Sequence, residues 1–349
     1  MSDACGILIG GSPSTGSSVL VNVLNRHPEL AAGPETYLFI HPDLYREWDR
    51  YGHYLLKRDR FRGLKSIGWF RKNGADLLLP EYGWDPAGLA ALLNRSASFP
   101  EFVEGYFSTA MTRKGATQWI EKSPSNSLAF PDFLKFFPEG KVIHTTRNPY
   151  DAVASLIARG HSPWYAAGAF VLNAAMALRS AEHPRYRLLR YEDWLLDPQK
   201  ELRQVLNFLE LDWREGLLTP SSSELGEEVR MEGWLSNEKG ALSRDSIGRF
   251  ARLPAGDRHQ VVQALHAFEL TTAYAKKWDL QHRNIRSIAP ALGYELELST
   301  GKSVNFTLQR LEDWWSRTWR WYPTGLLHYP AQSATPPKKN QSPNKPINQ

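Results

Sequence analysis

Apolar residues in this chain come in short runs broken by helix-period stripes. Ile7-Leu8-Ile9 reads as a brief buried strand, a turn of small residues follows, and Val19, Leu20, Val21, Val23 and Leu24 continue as a helix over about Ser18 to Arg26. Pro28 disfavours helical geometry at the residue before it, so the chain turns at His27-Pro28. Trp119-Ile120-Glu121-Lys122 reads as a second short strand running into a loop, and Lys141 to Arg147 as a stronger, β-branched one. Asn148-Pro149-Tyr150-Asp151 then offers helix-start chemistry, with proline in the first turn and Asn or Asp as cap, for a helix from about Asp151 to Arg159. A long helix over Tyr165 to Glu182, a strand over Tyr186 to Tyr191 and an amphipathic helix over Pro198 to Leu209 complete the rhythm. Helix returns over 257–278, and again over 304–322, where Val304, Leu308, Leu311, Trp315, Trp319 and Tyr322 share one face. Strands separated by helices predict an α/β fold.

Composition narrows the setting. The 349 residues can bury one large core or two small ones, and a hydrophobic fraction of 42% suits a soluble protein. No stretch approaches the roughly 18 uncharged apolar residues of a spanning helix. The first strand begins almost at once, which leaves no room for a signal peptide, and the expected compartment is the cytoplasm. Cys5 stands alone, so an internal disulfide framework and a cysteine-based zinc site are excluded, and no metal is expected. The net charge of +5 and pI of about 9.1 suggest anionic ligands, and no nucleic-acid partner is expected.

Three stretches depart from the rhythm. Residues 41–74 hold nine Lys/Arg against four acidic residues, with seven aromatics among them. Two readings stand for this stretch: an acceptor-side surface that stacks and charge-matches a sugar or acid, or a helical insert whose aromatics face the core. Residues 215–250 are polar, Ser- and Gly-rich and aperiodic, which is the pattern of a lid or binding loop. From Ala331 onward the chain is rich in Pro, Lys, Asn and Gln, and disorder is expected. The apolar stripe of 304–322 could dock on the domain itself, on another copy of the chain or on a membrane surface; docking on its own domain is the expectation.

The turn after the first strand carries the chemistry. Gly11 and Gly16 let the backbone curl, and Ser12, Ser14, Thr15, Ser17 and Ser18 add hydroxyls ahead of a helix N-terminus, a ready site for a phosphate or sulfate. The spacing nearly fits G-x-x-x-x-G-K-[ST], but Ser17 stands where the lysine should be, which counts against ATP hydrolysis. An ordinary βα turn closed by small residues is the other reading. Arg147 falls at the C-terminal end of its strand, with Ser155 on the second turn of the next helix and Arg159 one turn further; ligands of open α/β sheets bind at that edge. His144, inside the strand, reads as a satisfied core histidine.

Taken together these segments resemble the sulfotransferases that use 3′-phosphoadenylyl sulfate (PAPS), in matching order over residues 5–255. Gly11-Ser12-Pro13-Ser14-Thr15-Gly16-Ser17-Ser18 is similar to that family's 5′-phosphosulfate loop, and His27-Pro28 matches the pair that often closes the next helix. Arg147-Asn148-Pro149-Tyr150-Asp151 through Ser155 is similar to the 3′-phosphate motif, Arg190-Tyr191-Glu192-Asp193-Trp194 to the motif written R-Y-E-D-L, and Ser246-Ile247-Gly248-Arg249-Phe250 to the late segment that closes over the nucleotide. The resemblance implies a P-loop-containing three-layer α/β/α fold with a central, mostly parallel sheet. It implies one sulfotransferase domain over 1–285 with an acceptor-side insert at 41–115, then a helical extension over 286–330. It also implies PAPS as co-substrate, with Ser12, Pro13, Ser14, Thr15, Gly16, Ser17, Ser18, Arg147, Ser155, Arg159, Tyr191, Ser246, Gly248 and Arg249 around the nucleotide. Glu35 falls where the carbohydrate and tyrosylprotein branches place their base, and Lys122 where tyrosylprotein sulfotransferases carry a catalytic lysine. The histidine of the cytosolic branch has no firm counterpart, with His41 and His53 as the alternatives. The chain departs from the pattern at Ser14, where the family carries Lys or Arg, which leaves Lys122 or Arg249 to neutralise the leaving phosphate. The implied acceptor is a glycan, lipid or other small alcohol. A nucleotide kinase, or a non-catalytic binding module on the same fold, are the competing readings.

Overall fold

β1 (Cys5–Gly11) lies at the centre of the sheet, and everything else is arranged around its two faces. The computed structural model describes residues 5–40, 42–56, 79–219, 244–297, 301–319 and 331–333. β1 pairs on one side with β3 (Gln118–Lys122), which carries β2 (Leu30–Ala32) outside it. On the other side it pairs with β4 (Lys141–Thr146), which carries β5 (Tyr186–Arg190). All four pairings are parallel and the order is β2-β3-β1-β4-β5. Every strand therefore ends at the same edge, where the connecting loops gather.

The period-two alternation of the strands sorts their side chains into two layers. Ile7, Ile9, Ile120, Ile143 and Leu189 pack under α1 (Ser17–Leu24) and the helix Pro198–Leu209. Leu8, Trp119 and Val142 point the other way, into an aromatic cluster with Phe39, Phe99, Phe107, Phe130 and Phe133. Burial of a Val, Leu, Ile or Phe side chain is worth about 1.5–3 kcal/mol, so this in–out alternation fixes the register. A third apolar cluster gathers the helices Pro163–Leu178, Ala255–Ala267, Thr272–Trp278 and Ile285–Ala291. The three-layer α/β/α arrangement with a parallel sheet is thus present.

The structure refines several sequence expectations. The helix expected over 257–278 is two helices broken by a strand, Phe268–Leu270, after which Thr271 caps the second by accepting from the Tyr274 amide at 3.2 Å. That strand pairs antiparallel with Ala331–Ser333, so the first three residues of the expected disordered tail form regular structure. Of the basic, aromatic stretch, Tyr45 and Trp48 join the core, against Phe99 and Phe136 and against Phe99 and Phe102 respectively. This matches the core-facing reading for those two residues; 57–78 lie outside the described residues, as do His41, 220–243 and 320–330.

The last helix, Thr307–Trp319, lies against its own domain, with Val304 of the expected stripe packed on the core ahead of it. Phe306 and Asp313 are buried, the Phe306 ring lies 5.6 Å from that of Trp164, and Gln309 accepts from the Trp164 amide at 3.1 Å. Leu308 and Leu311, two members of the apolar stripe, are 81% and 57% exposed. Trp164 holds the start of the helix with its amide on Gln309 and its ring against Phe306 and the Arg310 guanidinium.

Candidate active site

The loop after β1 is closed at its base by a crossing hydroxyl pair. Thr15 Oγ1 donates to the Ser12 carbonyl at 2.7 Å and shares a 2.9 Å hydrogen bond with Thr145 Oγ1 of β4. Gly11 is required where the loop begins, since a Cβ there would sit 2.0 Å from the Thr145 carbonyl oxygen. Gly16 takes φ +84° and a Cβ on it would fall 2.3 Å from the Tyr191 ring, so this position admits glycine alone. Gly16 is also the N-cap of α1 and provides no capping side chain, which leaves the first amides of that helix pointing into the loop. Ser14 adopts φ +74°, and its buried Oγ has no hydrogen-bond partner. A loop with open amides and an orphaned hydroxyl is a cradle for an oxyanion.

Arg147 follows β4 directly and is 3% exposed. Its guanidinium donates to the Ser14 carbonyl at 3.3 Å and to the Ser246 carbonyl, lies 3.6 Å from Asp151 and stacks 5.0 Å over the Tyr191 ring. Arg249 donates to Ser155 Oγ at 3.3 Å. Burial pulls the Arg147 guanidinium below its ordinary value, against which Asp151 acts in the opposite sense and Arg249 in the same. Burial likewise lowers Arg159, followed by repulsion from Arg249 and Arg147. Three mutually repelling guanidiniums, one of them on the Ser155 hydroxyl, fit a polyanion, and the buried Arg147 Nε, which has no partner, gives a donor to spare.

Asp151 holds the late segment in place. Its two carboxylate oxygens accept from the amides of Gly248 and Phe250, each at 2.7 Å. Glu192 plays a matching part, accepting from the Asn148 amide at 2.8 Å and from the Tyr294 hydroxyl at 2.7 Å. Asn148 caps the helix Pro149–Ile157 through the Tyr150 and Asp151 amides.

At the end of β3, the Lys122 ammonium forms an ion pair with Glu35 and donates to Ser18 Oγ at 3.0 Å. Tyr37 donates its hydroxyl to the other Glu35 oxygen. The turn carrying Glu35 is fastened from beneath by Glu121, which is fully buried and accepts from the Thr36 amide at 3.0 Å, Thr36 Oγ1 at 2.9 Å, Ser123 Oγ at 2.8 Å and Asn126. Burial pushes the Glu121 carboxyl up, and these donors pull the other way. Asn126 also reaches the Ile9 carbonyl of β1 at 3.0 Å.

The structure thus brings the residues singled out in the sequence to one sheet edge. Ser12 to Ser18, Lys122 and Glu35 form one end; Arg147, Ser155, Arg159, Tyr191, Ser246, Gly248 and Arg249 form the other; Arg147 and Tyr191 touch both. His144 is buried against Tyr186 at 2.7 Å, away from this edge, as the sequence suggested. His53 is exposed in the turn Gly52–Leu56. The anchoring roles of Asp151 and Glu192, the Glu121 network and the Tyr37 hydroxyl were not foreseen. An acidic residue inside a strand otherwise as apolar as Trp119-Ile120 was the available signal for Glu121.

No curated protein sequence matches the chain. Among solved structures, the sulfotransferase domain of the Synechococcus PCC 7002 olefin synthase superposes with a TM-score of 0.54 at 22% identity, over 75% of this chain and 93% of that one. The sulfotransferase domain of the curacin biosynthetic pathway aligns at 18% identity over 85% and 100% of the two chains, with a TM-score of 0.47. The first likeness shows the fold. The profile described as "Sulfotransferase family" matches residues 6–215, well over half of the chain, and covers the loop, Glu35, Lys122, Arg147 and the Arg190-Tyr191-Glu192 strand end. The protein therefore belongs to the sulfotransferase family and is a sulfotransferase enzyme.

Proposed function

We propose that the protein moves the sulfuryl group of PAPS to a hydroxyl of a glycan, lipid or other small alcohol, with Glu35 as general base. The observation that carries this reading is the position of Lys122, whose ammonium spans Glu35 and Ser18 and so joins the base to the first turn behind the anion loop. Glu35 takes the acceptor proton as the acceptor oxygen bonds to sulfur. The bond from sulfur to the bridging phosphate oxygen breaks in line, and 3′-phosphoadenosine 5′-phosphate leaves. The loop amides of residues 14–18 and Lys122 meet the charge that builds on that oxygen, so Lys122 does the work of the basic residue replaced by Ser14. Arg249 lies at Ser155 instead, on the side of Arg147 and Arg159, where the three guanidiniums take the 3′-phosphate. A sulfuryl group carries one negative charge, so positioning and fixed dipoles can supply most of the acceleration.

Glu35→Gln tests the assignment. The variant keeps nucleotide affinity within about twofold while transfer from labelled PAPS falls by about 10²–10⁴. Turnover that survives the substitution removes Glu35 from the mechanism.

A further inference from the structure

The helix Ile285–Ala291 ends in a turn that brings the chain back to the sheet edge. Gly293 takes φ +76° there, and the Tyr294 amide closes the turn on the Ala289 carbonyl at 2.8 Å. Tyr294 is 7% exposed; it donates its hydroxyl to Glu192 at 2.7 Å, and the Arg190 guanidinium lies 4.6 Å over its ring. Three residues on, the Glu297 amide donates to the Tyr150 hydroxyl at 2.9 Å, and the Tyr150 ring lies 5.1 Å from that of Phe250. Residues 294–297 thus clasp the start of the helix Pro149–Ile157 at two points, one reached through Glu192 and one through Tyr150. Arg147 precedes the first point in the chain, and Arg249 adjoins the second.

Glu192 is the part of this clasp with a choice of partners. One of its oxygens accepts from the Asn148 amide at 2.8 Å and the other from Tyr294. That amide belongs to the peptide unit that follows Arg147, and Asn148 in turn caps the helix that carries Ser155. Burial lowers the Arg147 guanidinium, and Glu192 acts with Asp151 and Tyr191 in the opposite sense, so the charges of Glu192 and Arg147 feel each other. The buried Nε of Arg147 has no hydrogen-bond partner, and an unpaired buried donor draws any acceptor within reach. A carboxylate released beside it competes with the anion that the guanidinium is there to bind.

We propose that Tyr294 is a positioning residue for the 3′-phosphate. Its hydroxyl holds Glu192 on the Asn148 amide and off Arg147, so that the guanidinium stays open to the nucleotide. This rests on the assignment of Arg147, Ser155 and Arg249 to the 3′-phosphate, and it adds to that site a residue beyond the family match at 6–215.

The test compares 3′-phosphoadenosine 5′-phosphate with AMP by calorimetric titration of the full chain. Tyr294→Phe keeps the ring under Arg190 and removes only the hydroxyl. Its affinity for 3′-phosphoadenosine 5′-phosphate falls about three- to tenfold, while that for AMP stays within about twofold of the parent. In a Glu192→Gln background the same change alters the affinity for 3′-phosphoadenosine 5′-phosphate by less than about twofold, since no carboxylate remains to be held. A Tyr294→Phe variant that keeps the parent's ratio of the two affinities overturns the proposal, whether both are unchanged or both fall by one factor. So does an undiminished effect in the Glu192→Gln background. Arg147→Ala keeps the two questions apart. If that variant weakens both nucleotides equally, the 3′-phosphate assignment itself fails; a selective loss there beside an unselective Tyr294→Phe strikes only the role of Tyr294.

Discussion

Arg147→Ala is the substitution that reads the second anion site most directly. The guanidinium is 3% exposed and is held by two backbone carbonyls, by Asp151 and by the face of Tyr191. Loss of a desolvated charge that pairs with a ligand anion costs about 2–5 kcal/mol, or roughly 30- to 5,000-fold in affinity. Arg159 and Arg249 are each relieved of repulsion from Arg147 once it is gone, which places the expected loss in the lower part of that range, near 100-fold. AMP has no 3′-phosphate and loses less than about 1 kcal/mol. Thermal stabilisation gives a simple assay. A nucleotide at about 100 times its dissociation constant adds roughly 2.7 kcal/mol to the parent; after a 100-fold loss the same concentration adds only about 0.4 kcal/mol. The AMP increment, measured at its own saturating concentration, hardly changes. If 3′-phosphoadenosine 5′-phosphate and AMP weaken by the same factor, Arg147 does not hold the 3′-phosphate and the two-site reasoning fails.

Two further predictions concern stability. Burial pushes the His144 imidazole down to about 3 from an ordinary 6.5, so the unfolded chain takes up a proton that the folded chain refuses. The contribution is complete above the unfolded value and is lost as pH falls from there toward the folded one; at about pH 5 the loss is roughly 2 kcal/mol. Urea unfolding at about pH 7.5 and about pH 5 should show the parent losing about that much more than His144→Gln, and equal losses would refute the assignment. Gly16→Ala places a methyl into Tyr191 at φ +84° and should destabilise the protein by at least ~1–2 kcal/mol while weakening nucleotide binding; an unchanged melting temperature would mean that the loop is not closed by that ring.

Local signals in the sequence carried the sheet and most of the site, because these features are written in contiguous residues. Ile7-Leu8-Ile9 shows its alternation within three positions, and the Gly11–Ser18 turn and the Arg147–Ser155 spacing each lie within one βα unit. What escaped the sequence depends on segments that meet from far apart. The break at Phe268–Leu270 exists because Ala331–Ser333 pairs with it. Asp151 is tied to the amides of Gly248 and Phe250 nearly a hundred residues on, and its own neighbours show only a helix start. The outward turn of Leu308 and Leu311 follows from what Trp164 offers to Phe306 and Gln309, a choice that the amphipathic pattern of the helix does not contain.

Glu121 and its partners make a buried polar knot between two parts of the chemistry. Through Asn126 it grips β1 just ahead of the anion loop, and through Thr36 it grips the turn that bears Glu35. Glu35, the proposed base, and the loop proposed to hold the donor are consequently referenced to a single interior carboxylate and not to the surface around them. Under the proposed function, acceptor-facing residues can change wholesale in such a scaffold without moving Glu35 relative to the anion loop, so selectivity and reactivity are free to evolve on separate parts of the chain.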